Sequence, residues 1–174
     1  MTSHPRDFNE RTIKAIADSE KVCEHFHLPI QSGSNDVLYE MNRGYTREEY
    51  LEIIDKIKKH FDHYSITTDI IVGFPGETEQ DFEDTLDIVK KVQFDMAFTF
   101  KYSKRSGTPA AKKEGQISED IKDKRLQKLM KVQNKISLKQ NEKLEGKTLE
   151  VLVEGESKNN PETFMGRSRT NKLV

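Results

Sequence analysis

The stretch Thr68-Asp69-Ile70-Ile71-Val72-Gly73-Phe74-Pro75-Gly76-Glu77-Thr78 decides how the chain is read. A nearly continuous apolar strand runs into a Pro-Gly turn, and Thr78, with Asp81 as capping-box partner, starts a helix. His27-Leu28-Pro29-Ile30-Gln31-Ser32-Gly33-Ser34, earlier in the chain, follows the same plan: strand, Gly/Ser loop, helix. Such strand–loop–helix units are how a β/α barrel builds its active-site rim. Both loops are rich in exposed backbone N–H groups and suit a polar, nucleotide-like ligand.

Working outward, residues 8–19 are expected to form a short helix with Ile13, Ile16 and Ala17 inward. Residues 25–30 alternate Phe26, Leu28 and Ile30 as a strand, and residues 35–41 form a short helix with Val37, Leu38 and Met41 on one side. Thr46 and Glu49 make a capping box ahead of a stripe of Tyr50, Ile53, Ile54, Ile57 and Phe61. The helix after Thr78 turns Phe82, Leu86, Val89 and Val92 inward, and Phe98, Phe100 and Tyr102 mark a third strand. A loop from Ser103 to Gly115 follows; Ser118 then caps a long helix to about Leu144, with Leu126, Leu129, Met130 and Ile136 inward. Beyond Gly146 the pattern changes to short strands, at Leu149, Val151 and Val153 and again at Phe164-Met165. Regular alternation over residues 1–115 predicts a parallel α/β sheet of about three βα units. Three strands cannot close a barrel, which takes about eight.

Of the 174 residues, 34% are charged and 33% hydrophobic, and 29 basic residues face 30 acidic ones for a net charge of −1. Global charge therefore gives no nucleic-acid signal. No run of about 20 apolar residues could span a membrane, and the start of the chain does not read as a signal peptide. The single cysteine, Cys23, excludes an internal disulfide, fits a reducing, cytoplasmic setting and cannot by itself ligate an iron–sulfur cluster or zinc. It reads as a small buried residue. The five histidines show no metal-binding spacing, although His25 and His27 share a strand face.

Each loop has two readings. Gln31-Ser32-Gly33-Ser34 suits ribose hydroxyls or a carboxylate, or is an ordinary βα turn with Asn35 as helix cap. Gly73 to Glu77 allows close backbone approach, with Phe74 covering a flat ring, or is a type II turn. Asp69 within its apolar strand must either pair with a neighbour or face the site. Lys101, Lys104, Arg105, Lys112 and Lys113 surround Tyr102, and Lys147, Arg167, Arg169 and Lys172 add positive charge near the end of the chain. Cations beside an aromatic suit phosphate contact and base stacking, or form a solvated face, which is the reading taken for Lys112 and Lys113. The lysines and arginine of the long helix, Lys122 and Arg125 among them, read as a solvated face, although the second half of the helix also suits an RNA surface.

His4-Pro5, the 27–34 segment, Met41-Asn-Arg-Gly-Tyr-Thr46, the 68–78 segment, Tyr102-Ser103 and Arg105-Ser-Gly-Thr-Pro-Ala110 together resemble the radical S-adenosylmethionine methylthiotransferases. The Ser3-His4-Pro5 start and the Gln-Ser-Gly-Ser loop are similar to the tRNA branch, which acts on N6-isopentenyladenosine beside the anticodon. The resemblance implies the C-terminal half of a radical-SAM barrel at residues 1–140. It implies the start of an all-β, RNA-binding TRAM domain at residues 141–174. It also implies methylthio transfer to C2 of that adenine in the full-length protein, with S-adenosylmethionine and two [4Fe-4S] clusters whose cysteine ligands would lie upstream of Met1. Gln31, Ser32, Val72, Gly73, Phe74, Tyr102 and Ser103 would then border S-adenosylmethionine. Arg43, Lys101, Arg105, Lys147, Arg167 and Arg169 would meet the anticodon stem-loop of tRNA. No catalytic or metal-binding side chain is expected in this chain, which alone would be inactive. A non-catalytic RNA-binding module is the alternative. An open half-barrel should also self-associate through its unpaired edges.

Overall fold

The computed structural model describes residues 3–157 and 160–174. A 3-10 turn at Pro5–Asp7 leads to α1 (Glu10–Ala17), β1 (His25–His27), α2 (Asn35–Glu40), α3 (Arg47–His60), β2 (Ser65–Val72), α4 (Glu79–Val92) and β3 (Met96–Lys101). A one-turn helix α5 (Pro109–Lys112), the long α6 (Glu119–Glu142) and the strands β4 (Val151–Glu156) and β5 (Phe164–Ser168) complete it. β1, β2 and β3 form a parallel sheet in that order, with Phe26 opposite Ile66 and Ile70 opposite Thr99. β4 and β5 form a separate antiparallel hairpin with a bulge between Val153 and Gly155.

The period-2 rule explains the sheet's two faces. Phe26, Leu28, Ile66, Ile70 and Val72 point into one core with Tyr50, Ile54 and Ile57 of α3, Phe82, Leu86 and Val89 of α4, and Leu129 and Ile136 of α6. The other face carries His25, His27, Thr67 and Asp69, then Met96, Phe98 and Phe100, which are 44–51% exposed. The expected βα order and the capping boxes of α3 and α4 are present.

Several expectations change. The β1 ladder ends at His27: Ile30 N–H turns to the Thr68 hydroxyl at 2.9 Å, and pairing resumes one residue out of step as a bridge from Gln31 to Ile70. Ser34, not Asn35, caps α2, accepting from the Val37 N–H at 3.3 Å. Ala17, Met130 and Cys23 are exposed. Ser118 starts α6 without a side-chain cap bond. The inward stripe of α6 is Lys122, Arg125, Leu129, Gln133 and Ile136, so two cations expected in solvent are buried. Gln133 and Ser137 account for part of that polar stripe by bonding the carbonyls of Phe94 and Asp95 at 2.8 Å, which closes the α4–β3 connection.

Candidate ligand cleft

A cleft of about 870 Å³ opens at the C-terminal ends of the three parallel strands, where barrel folds place their sites. Gln31, Asp69, Phe74, Phe100, Tyr102 and Ser103 line it, and Arg43 and Arg105 stand in its walls. Gln31 has φ +71, a conformation costly for any residue with a Cβ. It is held there by β2: its N–H donates to Asp69 O and its carbonyl accepts from Ile71, both at 2.9 Å. Its side-chain amide has no partner among the described residues. Phe74 and Tyr102 meet edge-to-face at 5.3 Å, and the buried Tyr102 hydroxyl finds no partner among the described residues.

Asp69 faces the cleft and also pairs. Its carboxylate lies 3.5 Å from His27 Nε2, whose Nδ1 is 2.9 Å from the Thr67 hydroxyl; His25 Nε2 is 3.0 Å from that same oxygen. Burial, then the neighbouring His27, hold the His25 imidazole below its ordinary pKa. A polar file thus runs down the open face of the sheet.

Three of the residues expected at a ligand stand behind the wall. Ser32 is fully buried, its hydroxyl 3.3 Å from that of Thr85, and Gly33 N–H donates to Thr85 at 2.9 Å. Loop 31–34 therefore uses these groups on α4. Val72 packs in the core. Gly73 has φ +74, and a Cβ there would sit 2.4 Å from Lys122 Cγ. Phe74 to Glu77 do form the expected turn, with Glu77 N–H donating to Phe74 O at 2.9 Å and Gly76 at φ +86.

The cations fall into separate groups. Arg43 has no acid partner among the described residues, and its buried Nε lacks an acceptor. Arg105 is exposed at the rim. Lys101 points the other way, to Asp123 at 2.7 Å and Glu119 at 3.1 Å. Arg169 clasps Glu24 at 2.7 and 2.9 Å and the carbonyls of Glu20 and Val22; Arg167 meets Glu154 at 3.3 Å. Glu24 precedes β1 and Asp95, which pairs with Lys172 at 2.7 Å, precedes β3. Arg167, Arg169 and the exposed Lys147 therefore belong to the opposite end of the sheet from the cleft, roughly 26 Å away along the eight residues of β2.

The buried ionic group was missed as a site feature. Arg125 Nη1 donates to Glu77 Oε1 at 2.7 Å and to Glu77 O at 3.1 Å, while Glu77 Oε1 also accepts from Gly73 N–H at 2.9 Å. Burial pushes the Glu77 carboxyl up, against the pull of the Gly73 amide and Arg125. The signal available was the spacing of Lys122, Arg125 and Leu129 on one helical stripe.

Residues 1–89 match the sequence profile of the Radical SAM superfamily, and the chain belongs to that superfamily. Along its whole length it is 63% identical to the tRNA-2-methylthio-N(6)-dimethylallyladenosine synthase of Desulforamulus reducens and covers 38% of that protein. It is 58% identical to proteins of the same name from Pelotomaculum thermopropionicum and Moorella thermoacetica, covering 39% of each. The chain thus spans about two-fifths of the length of these curated relatives. Its fold is similar to that of the radical SAM enzyme coproporphyrinogen III oxidase from Escherichia coli, with a TM-score of 0.63 at 19% identity over 76% of this chain and 31% of that one. Among the described residues no helix is long and apolar enough to cross a membrane.

Proposed function

We propose that the cleft binds S-adenosylmethionine, and that the protein built on it transfers a methylthio group to C2 of N6-isopentenyladenosine beside the anticodon of a tRNA. The observation that carries this reading is the convergence of Gln31, Phe74, Tyr102 and Ser103, from three separate loops, on one cleft at the strand ends. The relatives' name supports the reaction. The groups present fit an adenosyl ligand: Gln31 offers a free amide to ribose or carboxylate oxygens, and the Phe74–Tyr102 pair offers an aromatic face to adenine. Ser103 offers backbone to the adenine edge, while Ser32, Val72 and Gly73 act through the shape of the wall. The side chains do not fit an iron–sulfur cluster, since the only thiol, Cys23, is exposed and precedes β1, at the far end of the sheet. In this reading both [4Fe-4S] clusters depend on cysteines other than this one.

Arg43 and Arg105 would receive phosphates of the anticodon stem-loop at the mouth of the cleft. Residues 1–140 are read as the C-terminal half of the radical-SAM barrel and 141–174 as the start of a TRAM domain, with Lys147, Arg167 and Arg169 as a second, distant RNA contact. Lys101 would join the first group only by leaving Asp123 and Glu119. Titration with S-adenosylmethionine, followed by backbone amide shifts, tests the reading. Perturbations centred on Gln31, Phe74 and Tyr102 are expected, and Phe74→Ala should weaken binding about tenfold, some 1.4 kcal/mol. Absence of any shift at saturating ligand, or shifts confined to the hairpin, would refute it.

A further inference from the structure

The two walls of the cleft come from different strands, and both are tied to the first two turns of α6. From the β2 side, loop 73–77 is held by Arg125, which bonds both the side chain and the carbonyl of Glu77, and reaches Glu79 at 3.3 Å. From the β3 side, Lys122 Nζ donates to Tyr102 O at 3.2 Å and lies 5.5 Å from the centre of the Tyr102 ring. The stem of the same lysine lies against Gly73, so one side chain touches both walls. Lys122 and Arg125 are 5% and 7% exposed and Glu77 is 3% exposed. Charges this deeply buried are costly unless they are paired and hydrogen-bonded, and they fix geometry more than they add stability.

We propose that Lys122 and Arg125 are positioning residues of the cleft: together they set the separation between the Phe74 wall and the Tyr102 wall. The proposal rests on the reading of the cleft as an adenosyl site. Neither cation lines the cleft; each is bonded to a loop that does. Phe74 and Tyr102 meet only at their ring edges, 5.3 Å apart, so a small movement of either loop changes the aromatic face they present together. Arg125 has a further signature of constraint: its Nε is buried without an acceptor among the described residues, a penalty tolerated where the guanidinium plane is set by its other bonds.

The test compares three variants of the full chain: Lys122→Met, Arg125→Lys and the double variant Glu77→Gln/Arg125→Met. Lys122→Met keeps the apolar stem on Gly73 and removes only the ammonium. The double variant removes both charges of the buried pair while the glutamine amide oxygen can still accept from Gly73 N–H, so faster exchange at 73–77 reports the loss of the Arg125 tie. Two readouts are taken beside thermal melting: amide hydrogen exchange at residues 73–77 and 102–103, and the dissociation constant for S-adenosylmethionine. Lys122→Met is expected to speed exchange at 102–103 and the double variant at 73–77, each with about tenfold weaker binding and a near-native melting temperature. Arg125→Lys should recover part of the affinity, since one of its two bonds to Glu77 can be remade. Native exchange at both loops in stably folded variants would overturn the proposal. If the unaltered chain fails to bind S-adenosylmethionine, the adenosyl reading fails, and the exchange pattern alone still decides whether α6 positions the walls.

Discussion

At Gly73 the backbone has φ +74 and a Cβ would lie 2.4 Å from Lys122 Cγ, whereas Gly76, at φ +86, has no atom within 4 Å of the same position. Gly73→Ala should therefore cost about 2–3 kcal/mol, from strain and displacement of a buried lysine together. Gly76→Ala should cost only about 1 kcal/mol, from the left-handed conformation alone. Urea denaturation of the two variants measures the difference; equal losses would mean that Lys122 moves aside freely. The contrast also marks what is legible at this scale. The Pro75-Gly76 turn closes through a bond between residues three apart, so its chemistry is local and can be read from the sequence. The need for glycine at 73 comes from a helix some fifty positions further on, and the left-handed Gln31 from pairing with β2. Neither has a local signature.

Among the elements, α3 and α4 follow their sequence patterns because amphipathic stripes and capping boxes are set within a few residues. The long α6 does not. Its buried stripe is largely polar, and polar residues are assigned to solvent when only hydrophobic period is considered. The hairpin β4–β5 is tied to the start of β1 by the Arg169–Glu24 pair, and Arg169 holds the Glu24 carboxyl below its ordinary range. A carboxylate whose folded pKa lies below its unfolded one contributes stability above the ordinary glutamate value, and loses it as pH falls through the folded value. Hairpin docking should accordingly weaken on acidification from about pH 5 downward. In Glu24→Gln this pH dependence should disappear. Amide exchange of residues 151–156 and 164–168 against pH measures it, and an acid-insensitive hairpin in the native chain would contradict the assignment.

At the scale of the molecule, the sheet separates two basic groups that look alike as sequence. Arg43 and Arg105 stand by the cleft, and Arg167 and Arg169 stand at the far strand ends with their charge already engaged. β3 is an edge strand, and Met96, Phe98 and Phe100 leave a ridge of exposed apolar surface beside it. The chain is therefore expected to self-associate with rising concentration, and Phe98→Lys to shift it towards monomer. Sedimentation velocity over a concentration series would show this, and a monomer throughout would refute it. The order of the βα units, the capping boxes of α3 and α4, the parallel sheet and the Gly-rich loops at strand ends are legible in the sequence. All of these arise from hydrogen bonds and side-chain periods within one segment. Which loop residues reach the cleft and which stand behind it depends on packing between distant segments. That packing also buries Lys122 and Arg125 as supports and separates one set of cations from the other. Those outcomes depend on contacts between residues far apart in the chain, where burial and pairing, not residue type, determine what a charge or an amide can do.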